Sequence, residues 1–178
     1  MIAQVMEKQK KIEFRFNKQK ANTVILYLAN KDYGISKMRL LKYVFFADFY
    51  HINQYGRPIL GDHYVAMDNG PVLSKLYDML KYSSRDYSIE KRMIIIPKAE
   101  PDLDYLSKSD IEALDYALEN YSQYETLEMS KMSHEYEVWK QARQNSPNSK
   151  ATLMNWEDMI KNPDVLLRLK EYSRAIIF

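Results

Sequence analysis

Apolar residues recur at helical spacing near the start of the chain. Val24 and Leu28 lie on one side of such a helix, and Asn17 precedes the stripe. An asparagine at this position can accept a hydrogen bond from a free N–H group of the first helical turn. The pattern therefore predicts a first helix that begins after Asn17 and runs to about Lys31, with Gly34 as a stop.

A second helical stretch, from Lys37 to Tyr55, is apolar over most of its circumference. Ser36 is positioned to cap its first turn, and Gly56 is a natural stop after its last turn. At 100° per residue, its two apolar stripes are Met38, Leu41, Phe45, Phe49 and Ile52, and Leu40, Val44, Ala47 and His51. A helix that is apolar on two sides is expected at the centre of a fold.

Asp48 lies between these two apolar stripes, so we expect it to be at least partly buried. A buried carboxylate needs hydrogen-bond or cationic partners. We predict backbone N–H groups or a basic side chain, with Arg57 as a candidate.

The remaining arc of the same helix carries both basic and aromatic residues. Two interpretations remain open: a solvated face that tolerates aromatic residues, or a patch that contacts a partner. Arginine and tyrosine often dominate the binding energy of protein interfaces. The partner-binding hypothesis therefore includes Arg39, Lys42, Phe46 and Tyr50.

The residues after this helix predict tight turns. Gly61–Asp62 is typical of a two-residue turn, with extended arms at residues 57–60 and 63–67. Asp68 to Pro71 then breaks the chain, and Pro71 fits the first turn of a new helix, where its missing N–H is harmless.

The rest of the chain predicts one further strand and several short helices. The β-branched run Ile89–Ile96 indicates a strand, and residues 103–106 are a candidate return strand. Ser109 and Glu112 have the spacing of a capping box. The helices that follow are expected near residues 109–121, 127–133, 137–143, 156–160 and 163–173, with a linker-like segment at 144–150.

The predicted fold is a single α+β domain, mainly helical, with a small antiparallel sheet made from the hairpin and the Ile89–Ile96 strand. It spans residues 17–178 and follows a basic N-terminal arm, residues 1–16. Within that arm, residues 12–16 predict either a short strand or a mobile segment.

Composition narrows the function classes. The absence of cysteine excludes disulfides, thiolate metal sites and cysteine nucleophiles, and favours a cytoplasmic location. No apolar run is long enough for a membrane span, and the N-terminus lacks the pattern of a secretory signal.

Charge is unevenly distributed along the chain. Residues 1–50 carry ten basic and four acidic residues, whereas residues 100–139 carry two basic and eleven acidic residues. Two interpretations remain open: electrostatic steering of a charged partner, or contact between the two segments within the fold. A net charge of only +2 makes a dedicated nucleic-acid binder the less favoured class.

Candidate catalytic chemistry is sparse. There is no phosphate loop, dinucleotide fingerprint or zincin motif, and His51, His63 and His134 have no metal-ligand spacing. Structural roles are expected for these residues, with two alternatives. The three histidines could converge on a zinc ion, or Asp48 and Asp62 could form an acid–base pair. We predict no catalytic residues, no metal and no cofactor.

One block of motifs resembles the Panacea domain of SocA-like antitoxins, which often occur as prophage or phage-associated proteins. The motifs are Phe46-Ala47-Asp48, Tyr55-Gly56-Arg57-Pro58, Gly61-Asp62, Ala66, Gly70-Pro71-Val72 and Leu76-Tyr77. A looser similarity continues to about residue 157. The resemblance implies an antitoxin that neutralises a cognate toxin by direct contact. The alternatives are a phage-associated regulator that contacts nucleic acid, and an enzyme of unknown chemistry.

Overall fold

The structure is a computed structural model that describes residues 11–175. The α+β, mainly helical fold class is confirmed for these residues. The helices are α1 (Lys18–Lys31), α2 (Lys37–Tyr55), α3 (Ser74–Met79), α4 (Lys108–Tyr121), α5 (Thr126–His134), α6 (Glu137–Asn145), α7 (Trp156–Met159) and α8 (Pro163–Ala175). The strands are β1 (Tyr64–Met67), β2 (Gly70–Leu73), β3 (Tyr87–Glu90), β4 (Ile94–Pro97) and β5 (Thr152–Leu153), and short 3₁₀ helices cover Lys91–Met93 and Leu103–Tyr105.

Helix α2 is the centre of the molecule, and both of its predicted ends are confirmed. The Ser36 hydroxyl accepts a hydrogen bond from the backbone N–H of Arg39, and Gly56 takes the left-handed conformation at φ 72°. Residues 40–48 are all buried. The helix is therefore covered on every side, which is the arrangement that its apolar circumference predicted.

The first hairpin lies further along the chain than predicted. Strand β1 pairs with β2 around a turn at residues 68–69, and β5 adds a third strand beside β1. Residues 57–60 form no strand, because the N–H of Ile59 donates to the Asp48 carboxylate instead. The predicted pairing of residues 57–60 with 63–67 is wrong.

Pro71 was expected in the first turn of a helix, and this prediction is also wrong. It lies in β2 opposite Ala66. Helix α3 begins three residues later, at Ser74, because the Asp62 carboxylate accepts the N–H groups of Lys75 and Leu76 and so provides the cap from a distance.

The Ile89–Ile96 run is a second hairpin rather than one strand. Its two halves, β3 and β4, pair antiparallel across a short 3₁₀ turn, and they form a sheet separate from β1, β2 and β5. The turn contains Arg92 and Met93, both with positive φ. The β-branched residues of the run do not by themselves indicate that the chain reverses direction within it.

Two smaller predictions need correction. The capping box of α4 joins Ser107 to Asp110, whose side chains each accept the other's backbone N–H, so the predicted Ser109–Glu112 box is wrong. The candidate return strand at residues 103–106 is a 3₁₀ turn. The first helix and its Asn17 cap are confirmed, as are the helices near 127–133, 137–143, 156–160 and 163–173.

Residues 1–10 of the predicted basic arm lie outside the described residues. Residues 11–16 form no strand, but they pack against the body of the protein. The N–H of Ile12 donates to the Glu157 carboxylate at 3.0 Å, and the ring of Phe14 meets Trp156 edge-on. This part of the arm is therefore attached to the domain.

Candidate functional site

The four residues of the proposed partner patch do not form an exposed surface. Helix α4 and the residues that follow it pack over this side of α2. Lys42 and Phe46 are only 1% and 2% exposed. The patch hypothesis for Arg39, Lys42, Phe46 and Tyr50 is corrected accordingly: a partner cannot reach these side chains as a group.

The aromatic members of this set join α2 to α4. The ring of Phe46 stacks on Tyr121 with a centroid distance of 3.8 Å, and Tyr50 stacks on Tyr116 at 4.2 Å. Stacked and edge-on ring pairs add to the stabilisation that burial of the ring area already provides. These residues are therefore part of the packing between the two helices.

Arg39 holds the segment after α4 in place. Its guanidinium donates to the backbone carbonyls of Ser122 and Tyr124 at 2.7 and 2.6 Å, and it forms an ion pair with Asp32 at 2.7 Å. The fork of the arginine side chain suits several acceptors at once. Its role is to connect α1, α2 and the end of α4.

Asp48 is fully buried and has two hydrogen-bond donors. The N–H of Ile59 donates to one carboxylate oxygen at 2.7 Å, and the Tyr64 hydroxyl donates to the other at 2.9 Å. Burial raises the pKa of Asp48 to about 7, although both hydrogen bonds act in the opposite direction. The prediction of a buried, backbone-bonded carboxylate is confirmed.

Arg57 is the partner of a different carboxylate, so its predicted pairing with Asp48 is wrong. The buried Asp110 carboxylate accepts hydrogen bonds from the side chains of Arg57 at 3.0 Å and Lys20 at 2.6 Å, and from the N–H of Ser107 at 2.8 Å. Burial alone would raise the pKa of Asp110, but the bonds from Lys20 and Ser107 outweigh it, so the pKa lies below its usual value. This cluster fixes the start of α4 to α1 and to the chain after α2.

His51 belongs to the same cluster and lies close to a serine. Its Nε2 atom is 3.0 Å from the Ser109 hydroxyl, and its Nδ1 atom is 2.6 Å from the carbonyl of Arg57. If Nδ1 carries the proton, Nε2 is an acceptor for the hydroxyl, as in a nucleophile–base pair. The Ser109 hydroxyl also contacts the Ser107 hydroxyl at 3.0 Å, however, so it is part of a hydrogen-bond network among the residues of this cluster. Burial lowers the pKa of His51, which keeps the ring neutral.

The histidines do not converge. His134 stacks on Trp139 with a centroid distance of 3.9 Å, and His63 is exposed. Within residues 11–175 no group of three or more histidine and acidic side chains is arranged to hold a metal ion.

The remaining motif residues shape the backbone. Gly61 has φ 69°, as predicted, and a Cβ atom there would lie 2.6 Å from the carbonyl oxygen of Arg15. Gly70 has φ 101°, and a Cβ atom there would lie 2.6 Å from the amine of Lys42. Both positions therefore require glycine for space as well as for conformation. Pro58 is buried.

The acidic segment lies on the surface. Of the eleven acidic residues between positions 100 and 139, only Asp110 is buried. Thr23 of α1 donates to the carbonyl of Asp102, and Tyr27 of α1 donates to Asp115 of α4. The residues before α4 and the middle of α4 therefore flank the same helix. We define the acidic face as the side chains of Glu100, Asp102, Asp104, Glu112, Asp115 and Glu119.

Exposed apolar side chains interrupt this acidic face. Leu103 and Tyr105 are 47% and 45% exposed, and they alternate with Asp102 and Asp104. Aromatic residues are enriched at protein interfaces, whereas charged residues are depleted from the interface core and belong to its polar rim. The uneven charge count of the sequence corresponds to this exposed segment, whereas the side of α2 that the helical wheel selected is covered by α4.

None of the helices in the described part of the chain has the length and apolar character needed to cross a membrane. The sequence model of one family, described as antitoxin SocA-like, Panacea domain, matches residues 40–140, which is more than half of the chain. The protein therefore belongs to the SocA-like antitoxin, Panacea domain family. Comparisons with curated proteins and with solved structures found no match.

Proposed function

We propose that this protein is the antitoxin of a toxin–antitoxin pair and that it neutralises its toxin by direct protein–protein contact. Family membership over residues 40–140 is the observation that carries this proposal. The matched region contains the central helix α2 from Leu40 onward and the whole of α4. The proposal describes a binding protein without catalytic residues, acting with its toxin in the cytoplasm.

We further propose that the toxin binds to the acidic face. All of its acidic residues except the half-buried Asp115 are exposed, and the face includes the exposed side chains of Leu103 and Tyr105. Glu112 also accepts the hydroxyl groups of Tyr50 and Tyr55. Complementary charge accelerates association and suppresses wrong partners, while buried aromatic and apolar groups supply much of the affinity. The expected partner surface is basic with an apolar centre.

A growth-rescue experiment tests both statements. The protein is co-expressed with a small toxic protein encoded beside it, and we expect the wild type to restore growth and to be co-purified with the toxin. The variant Glu100→Lys/Asp104→Lys/Glu119→Lys reverses three exposed charges of the acidic face. We expect it to fold, to bind at least about tenfold more weakly at low salt, and to lose rescue.

A matched control reverses three exposed charges elsewhere. The variant Glu13→Lys/Glu90→Lys/Glu171→Lys changes the net charge by the same amount outside the acidic face. We expect it to rescue growth like the wild type. Equal rescue by both triple variants would refute the acidic face as the contact surface. A wild type that neither rescues nor binds the toxin would refute the antitoxin proposal itself.

A further inference from the structure

A cavity of about 610 Å³ lies beside the N-terminal half of α2. Its walls come from six parts of the chain: α2, the β1–β2 hairpin, α3, the β3–β4 turn, the start of α5 and the segment before β5. Sites for small molecules usually have this size, with largely apolar walls and a few polar groups. The apolar wall includes Met38, Leu41, Met67, Val72, Met93 and Leu127.

Two buried amines belong to the wall of this cavity. Lys42 is 1% exposed and donates to the carbonyl of Pro71 at 3.1 Å. Lys37 is 7% exposed, and its amine lies 3.4 Å from the centre of the Tyr77 ring. Among the described residues, no carboxylate forms an ion pair with either amine.

Burial without an anionic partner is costly for a lysine and usually lowers its pKa. Burial lowers the pKa of Lys42 to about 7. Burial together with nearby Lys81 lowers the pKa of Lys37 to about 8, although Asp78, which is paired with Lys81, acts in the opposite direction. Neither amine therefore has a directly bonded carboxylate within the described part of the chain, and an anion in the cavity would supply one.

The charges around the cavity are predominantly positive. Arg92 and Lys150 complete a set of four cationic side chains in its wall, which also contains Asp68. The carboxylate of Asp68 is already bonded to Arg143 at 2.6 Å. His134 of α5 is a further titratable group near Lys42, and burial and the lysine charge lower its pKa. The electrostatic environment therefore favours an anion.

The β3–β4 turn contributes two side chains to the same cavity. Arg92 and Met93 have φ values of 61° and 59°, although neither is glycine. Tight hairpin turns use positive φ at their central residues, and non-glycine residues adopt it at some cost in energy. Both residues belong to the cavity wall, so the strained turn places an arginine and a methionine there.

We propose that this cavity binds a small organic carboxylate with an apolar body. Its apolar part contacts the methionine and leucine side chains, and its carboxylate is bound by the amines of Lys37 and Lys42. This site is separate from the toxin contact on the acidic face, and the inference does not depend on that proposal.

Octanoate is a suitable probe, with acetate and octanol as matched controls. Acetate has the carboxylate without the apolar body, and octanol has the apolar body without the charge. We expect octanoate to bind with a stoichiometry of one and at least about tenfold more tightly than either control, because acetate lacks the apolar contacts and octanol lacks the charge-assisted bonds. Equal binding of octanol and octanoate would overturn the role of the amines.

Methionine methyl groups report the position of binding by NMR. Octanoate should shift the signals of Met38, Met67 and Met93, which belong to the cavity wall, and leave that of Met159, in α7, unchanged. Shifts at Met159 without shifts at the three cavity methionines would place the ligand elsewhere and overturn the proposal.

Variants and proton uptake test the amines themselves. Lys42→Met and Lys37→Met should each weaken octanoate binding by at least about tenfold, whereas Lys131→Met, an exposed lysine of α5, should not. Either cavity variant suffices if the other fails to fold. At pH 8 the amines are partly deprotonated, and a bound carboxylate favours their protonated form. Calorimetry in two buffers should therefore show uptake of at least about half a proton per ligand. Binding without proton uptake would contradict direct contact with the amines.

Discussion

Asp48 makes the stability of this protein depend on pH in a direction opposite to that of most carboxylates. Its side chain is fully buried, and its pKa is raised to about 7 by that burial. Between about pH 4 and pH 7 the folded protein keeps a proton on Asp48 that the unfolded chain has released. The stability that this proton contributes is fully present below the unfolded pKa and is lost as the pH rises through the folded one.

The size of the effect follows from the pKa shift. A shift of about 3 units corresponds to about 4 kcal/mol, of which about 2.5 kcal/mol is expressed between pH 5 and pH 8. The variant Asp48→Asn removes the titration but retains an oxygen that can accept the N–H of Ile59. The Tyr64 hydroxyl also lies 3.4 Å from the carbonyl of Val44, so it can reorient towards it.

The assay is urea denaturation of both proteins at pH 5, 6, 7 and 8. We expect the free energy of unfolding of the wild type to fall, relative to Asp48→Asn, by about 2.5 kcal/mol over this range. Lys42 contributes an opposite slope, because its pKa is lowered to about 7, but this contribution is common to both proteins and cancels in the difference. Parallel pH profiles for the two proteins would refute the assignment of a raised pKa to Asp48.

Two further substitutions test the packing. Gly61→Val should lower the free energy of unfolding by more than about 1 kcal/mol, because its Cβ atom would meet the carbonyl of Arg15; Gly34→Val, with positive φ but open space, should cost less. Equal losses in chemical denaturation would contradict the close approach at Gly61. Phe46→Ala should cost about 3 to 5 kcal/mol, whereas Tyr82→Ala, at a 75% exposed position, should change the melting temperature little. A small loss of stability for Phe46→Ala would indicate that the Phe46 side chain lies at the surface.

The helices could be predicted from the sequence because their signals are local. Ser36 and Gly56 mark the ends of α2 by their own chemistry, and Asn17 does the same for the start of α1. The burial of Asp48 could also be predicted, since it depends on the apolar residues of its own helix. Its partner could not, because the choice between Ile59 and Arg57 is decided by the packing of other elements.

The hairpins and the burial of the four-residue patch depend on such long-range contacts. Asp62 caps α3 from outside the helix, so Pro71 remains in a strand although its sequence suits a helix start. The prediction of an exposed four-residue patch was wrong for a similar reason. A helical wheel shows which residues share a side of a helix, but it does not show that α4 packs over that side. The acidic face was visible only as an uneven charge count.

The carboxylate of Asp62 also has a consequence for the order of folding. It bonds the N–H groups of His63, Lys75 and Leu76, and so closes a loop of about a dozen residues that contains the whole β1–β2 hairpin. Short loops close quickly and lose little chain entropy, whereas the packing of α2 on α4 joins residues about seventy positions apart. We therefore expect this loop to form before α4 docks, and to present α2 with a preformed wall on which the rest of the core assembles.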